Sequence, residues 1–239
     1  MKIRYALKLG ALSLAVLAWA TFAPSASASV IGHLTFANCG GGGVVVTLAT
    51  IDFELPPLGG NGCIMTGLGT TVTFTGGTGV ITTNEAGTVN DLGFPPPLSG
   101  NTGFISFPGV TFDLLAIGAG VANTACTNTF DPAAPACSVF AGSPFVLTSG
   151  RSSTTIAFYV SGVTNDASSV HNPWTGTFST QLDSITPFDV QNAINTRGSF
   201  TATYSFDGNV AALPEPVSMG LIGGGLIGLA LLRRRKARA

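Results

Sequence analysis

Between Ser29 and Leu213 the chain contains no lysine and only two basic residues, Arg151 and Arg197. Ten acids oppose them (Asp52, Glu54, Glu85, Asp91, Asp113, Asp131, Asp166, Asp183, Asp189, Asp207), so this stretch of 185 residues carries −8 while the whole chain sums to −1. A surface of that sign repels phosphate backbones, which excludes nucleic acid as a partner. It also lacks the basic patch that would hold it on anionic lipid. Charge of either sign is scarce at 9% of residues, yet 45% are hydrophobic. That balance belongs to a chain that builds a core and keeps a neutral, hydroxyl-rich exterior, not to a disordered one.

Histidine is nearly missing too: His33 and His171 are the two in the chain, and they stand apart in sequence. No pair of cysteines has the close spacing of a zinc site, so no metal is expected. GxSxG is absent, which leaves a Ser-His-Asp hydrolase without its nucleophile turn. The glycine runs at 40–43 and 223–225 lack the Lys-Ser/Thr that completes a phosphate-binding loop. No Gly-punctuated calcium loop occurs either, and no cofactor is expected.

Both chain ends look like addresses. Lys2, Arg4 and Lys8 precede an apolar run from Leu9 to Ala20, Pro24 breaks any helix, and Ala26-Ser27-Ala28 offers small residues to a signal peptidase. Twelve apolar residues span a bilayer poorly, so a signal cleaved after Ala28 is expected rather than an anchor. Cys39, Cys63, Cys126 and Cys137 make an even count behind that signal, which points to disulfides formed in an oxidising compartment. Three pairings are open. Cys39–Cys63 with Cys126–Cys137 is preferred because each pair brackets a Gly- or Pro-rich loop.

The middle reads as short β-rich runs between turn residues: 31–37, 44–55, 70–75, 79–83, 109–117, 144–149, 154–163, 175–182 and 199–206. In the last, Phe200, Ala202, Tyr204 and Phe206 alternate with Ser and Thr, the period of a half-buried strand. An all-β fold follows, expected as a β-sandwich or jelly roll. One helix is predicted within it, over TPFDVQNAINTRG (186–198). Thr186 is its N-cap, Pro187 its first residue, Asp189 lies in the first turn, Arg197 in the last, and Gly198 follows as the stop.

Few side chains suggest chemistry. Asp52 and Glu54 lie two apart on one expected strand, hence on one face, where a carboxylate pair serves glycoside hydrolysis; a solvated strand face is the plainer reading. Trp174, in HNPWTG, would stack on a sugar ring if exposed on a loop, or close the core if buried. Tyr159 and Tyr204 fall in strands and are expected in the core with bonded hydroxyls.

Residues 217–232 are uncharged and would make a helix of about 24 Å, and RRRKAR follows at once. Arg233, Arg234, Arg235, Lys236 and Arg238 would hold that end in the cytoplasm and leave the acidic stretch outside. Gly220, Gly224 and Gly228 give overlapping GxxxG spacings suited to close helix packing. Pro214-Glu215-Pro216, then the apolar helix, then the terminal arginines, resembles the PEP-CTERM sorting signal in order, spacing and position, with Leu213 where valine is usual. The resemblance covers the last 26 or so residues. It implies export by a Gram-negative bacterium, processing by an exosortase-type membrane protease, and association with extracellular polysaccharide and biofilm matrix.

The expected organisation is therefore a signal peptide (1–28), a secreted β-rich domain (29–213) and a sorting signal (214–239). The expected partners are signal peptidase, the exosortase, the membrane through the tail helix before processing, and extracellular polysaccharide. The leading function is a non-enzymatic surface or matrix protein, whose 28 threonines within 29–213 suit strands and O-linked glycans. A carbohydrate-binding module using Trp174 is the alternative, and a hydrolase using Asp52 and Glu54 a further one.

Overall fold

The computed structural model describes residues 30–54, 60–74, 80–93, 101–166, 171–212 and Gly225. Fifteen strands and one short helix occur among them. They are β1 (Val30–Asn38), β2 (Val44–Thr47), β3 (Thr50–Asp52), β4 (Gly62–Thr66), β5 (Val72–Phe74), β6 (Val80–Ile81), β7 (Ala86–Val89) and β8 (Leu92–Gly93). The order continues with β9 (Asn101–Phe107), β10 (Val110–Ile117), β11 (Val146–Ser149), β12 (Ser153–Asp166), β13 (Pro173–Asp183), α1 (Pro187–Asn192), β14 (Ser199–Ala202) and β15 (Ser205–Val210).

Eight strands close into an antiparallel ring, β1-β4-β7-β9-β10-β12-β13-β15 and back to β1. Closure comes from the outermost partners in sequence: Gly32 lies opposite Val210 and Ala37 opposite Ser205. The expected sandwich is thus corrected to a barrel. Both architectures demand the same alternation along each strand, and only the pairing of first with last strand separates them. Periodicity does not report that pairing.

Eight staves leave an interior just wide enough for side chains, and phenylalanine fills it. Phe178 on β13 is the hub. Its ring stacks on Phe158 at 4.9 Å and 4°, and it also meets Phe36, Phe53, Phe104, Tyr204 and Phe206. A second sheet, β14-β2-β3-β8, lies beside the ring, and Phe53, just past the end of β3, and Tyr204, between β14 and β15, pack onto this cluster. The alternating run 199–206 therefore divides near Thr203: β14 joins the second sheet and β15 joins the ring. The expected strand 44–55 likewise folds back, β2 pairing with β3 through Thr47 and its bond to Thr50. Four strands, β4, β7, β8 and β9, lie where none was predicted.

The predicted helix is present with its punctuation. Thr186 and Asp189 form a reciprocal capping box, Thr186 Oγ1 accepting from the Asp189 amide at 3.2 Å and Asp189 accepting from the Thr186 amide at 3.1 Å. A π-turn, Ala193–Arg197, prolongs α1, and Gly198 ends it at φ 85°, where a side chain would be strained. Val190 and Ile194 are buried, and Gln191 ties α1 to the loop before β11 by donating to the Thr124 carbonyl at 2.7 Å.

Both disulfides follow the preferred pairing. Cys39–Cys63 links the end of β1 to β4, and Cys126–Cys137 closes the loop that α1 holds.

Candidate functional site

Ala26, Ala28, Pro214, Glu215, Pro216, Arg233, Arg234, Arg235, Lys236 and Arg238 lie outside the described residues. No helix among the described residues is long and apolar enough to cross a membrane.

Trp174 is corrected from a sugar contact to a core residue. It is 2% exposed, donates its indole N–H to the Asp113 carbonyl at 3.1 Å, and meets Phe112 edge-on at 5.9 Å. A ring enclosed on these sides offers no face to a ligand.

Asp52 ends β3 and serves the backbone around Phe53, whereas Glu54 lies beyond the strand with a buried carboxylate oxygen that has no hydrogen-bond partner, so the expected pair on one strand face is corrected. An Asp52 carboxylate oxygen accepts from the Glu54 amide at 3.0 Å, and Asp91 accepts from the Phe53 amide at 2.8 Å. Burial pushes the Asp91 carboxyl above its usual range; the Phe53 amide opposes this and the nearby Asp52 charge adds to it. Tyr204 stands deep beside these residues. Burial raises its hydroxyl well above the ordinary tyrosine value, the Asp91 charge adds to that, and the hydroxyl has no hydrogen-bond partner. The expectation of a bonded Tyr204 hydroxyl is corrected accordingly. Asp91, the acid nearest in role to Asp52, is 39 residues further along the chain, so spacing alone did not associate them. No group of three His, Cys, Asp or Glu side chains is placed to hold a metal among the described residues.

The two histidines part company. His171 bonds the Thr164 carbonyl, near the end of β12, through Nδ1 at 3.1 Å. His33, which looked isolated in sequence, meets Asp207 from β15 at 3.1 Å through Nε2 and the Gly69 carbonyl at 3.1 Å through Nδ1. Two acceptors on two ring nitrogens favour the imidazolium, the only form that donates at both. The Gly69 bond does most to raise the His33 pKa; burial opposes it, and the hydrogen bond and charge of Asp207 add to the rise.

Asp207 belongs to a larger polar surface on the outside of the barrel. On β12, β13 and β15 the residues Phe158, Val160, Trp174, Phe178, Phe206 and Val210 point inward. Tyr159, Ser161, Thr175, Thr177, Asp207 and Asn209 therefore point out, and together they line a shallow groove of about 380 Å³. Tyr159 is 52% exposed, which corrects its expected place in the core. Ring closure sets these residues in two rows: Tyr159–Thr177–Asp207–Thr35 and Ser161–Thr175–Asn209–His33. The wall under the groove carries Gly176 opposite Gly208. The Phe206 ring lies against both on the inner side, where any β-carbon would collide with it.

No protein-family model, curated protein or solved structure matches the chain, so its role rests on its own residues.

Proposed function

We propose that this chain is an exported, non-enzymatic surface or matrix protein of a Gram-negative bacterium, delivered through its C-terminal sorting signal. The observation that carries this reading is the ordered tail: Pro214-Glu215-Pro216, sixteen uncharged residues, then RRRKAR. Two disulfides among the described residues are compatible with an oxidising, extracytoplasmic compartment and support the same reading. The charge division supports it too, since the positive side chains gather where the cytoplasmic face would hold them.

On this reading the two prolines keep the motif extended and within reach of a membrane protease. The helix and the arginines hold it at a fixed height. Intact-mass measurement of the native protein is expected to show that residues beyond the motif are lost. Replacing Pro214-Glu215-Pro216 by alanines is expected to leave export intact and trap the full-length form in the membrane. A mature mass that still includes Arg233 to Ala239 would mean a permanent anchor and end the sorting proposal.

A further inference from the structure

We infer that the outer groove on β12, β13 and β15 is a carbohydrate-binding site for a neutral or amine-bearing glycan, with Tyr159 as its stacking platform. The inference deepens the matrix reading by giving the barrel a ligand, and it rests on that reading for where the glycan is met.

The groove has the parts that sugar recognition needs. A pyranose ring has an apolar face of C–H groups and a rim of hydroxyls, so it binds to an aromatic face beside short donors and acceptors. Tyr159 supplies the face: it is half exposed and stands on a rigid strand. Thr177 is next to it across the strand pair and Asp207 one strand further, so Tyr159 and Asp207 lie about 10 Å apart. That span leaves room for one sugar ring, with Thr177 under it. The second row, Ser161, Thr175 and Asn209, supplies further hydroxyls and an amide for a neighbouring residue of a chain.

Two features keep the groove open. Gly176 and Gly208 let Phe206 press against the wall from inside, so no side chain pushes this part of the wall outward. His33 bonds one Asp207 oxygen, which steers that carboxylate; Asp207 remains two-thirds exposed, at 68%. The groove is lined by one acid and by neither arginine. With −8 on the surrounding domain, uronate and other acidic glycans are repelled, while neutral and amino sugars are not.

The test uses the full chain, purified in a sugar-free detergent, on an array of neutral, amino and uronic acid oligosaccharides. Binding confined to neutral or amino sugars is expected. Tyr159→Ala should weaken it by about tenfold or more, and Tyr159→Phe, which keeps the stacking face, should retain it. Each variant is checked for an unchanged thermal midpoint, since Tyr159 contributes little to the core. Absence of any bound glycan, a preference for uronic acids, or unchanged binding by Tyr159→Ala would overturn the site. Intact mass of the native tail is read separately, so loss of the sorting proposal and loss of the glycan site are distinguishable.

Discussion

The two sides of the barrel wall are built on different principles. On one side β12 and β13 pair without a break from Ser153 opposite Asp183 to Val163 opposite Pro173. On the other, β7 meets β9 only through Thr88 opposite Ser106 and Val89 opposite Ile105. The long side has backbone ladder and stacked phenylalanines to hold it. The short side has strands of four and five residues, β7 and β4, and a disulfide from Cys63 on β4 to Cys39 at the end of β1. A covalent link stands where the ladder is thin, because a short strand fixes too few hydrogen bonds to offset the entropy of ordering it.

The comparison breaks most sharply at its hub. Phe178→Ala removes a ring that touches six other aromatics, and a core truncation of that size costs about 3–5 kcal/mol. Equilibrium denaturation should show the loss as one cooperative transition, since both sides of the wall lean on this residue. A noncooperative loss would mean that the sides are independent.

A smaller effect is expected from Cys39→Ala with Cys63→Ala. A link closing a 24-residue separation constrains the unfolded chain by about 3 kcal/mol. Hydrogen exchange should then quicken first at β4 and β7 and leave β12 and β13 protected. Uniform quickening would show that the link stabilises the whole ring and not its thin side.

The smallest effect concerns His33 and Asp207, which join β1 to β15 at the surface. The folded pKa of His33 is raised, so its contribution is full below the ordinary histidine value and is lost as pH rises through the raised one. Both groups are solvent-accessible, which limits the effect to less than about 1 kcal/mol. The thermal midpoint should fall slightly between about pH 5 and about pH 8. Asp207→Asn should reduce that slope without removing it, because the Gly69 carbonyl is the larger cause. A slope that steepens in the variant would contradict the assignment.

The same contrast governs what could be read from sequence. TTIAFYVSGV and TGTFSTQL alternate plainly and lie in the long strands β12 and β13. The missed strands β4 and β7 carry Gly62 and Gly87 at inward positions, where an apolar side chain would have made the alternation visible. The space there is taken from elsewhere in the chain: a β-carbon on Gly62 would meet the Phe53 carbonyl oxygen and, at 2.6 Å, the Phe53 β-carbon, and one on Gly87 the Phe107 ring at 2.7 Å. That close approach of another segment's backbone or ring in place of a local side chain is a tertiary fact. The groove was hidden for a similar reason. Tyr159, Thr177 and Asp207 become neighbours only through strand pairing, so an aromatic at a strand position looked like core. The helix at 186–198 was legible because its cap, first turn and stop are all local.

Ring closure by β1 and β15 also imposes an order in time. A chain that emerges from its N-terminus offers β1 at the outset, but the partner for that edge, Ser205–Val210, comes after every other stave has appeared. Until then the β15-facing edges of β1 and β13 present unpaired amides and carbonyls. Completion of the barrel is therefore tied to delivery of the whole domain, and a pairing this distant in sequence is slow to form. A chain halted before Ser205 keeps both edges raw, and the groups that should have joined its own two ends are left to join another molecule.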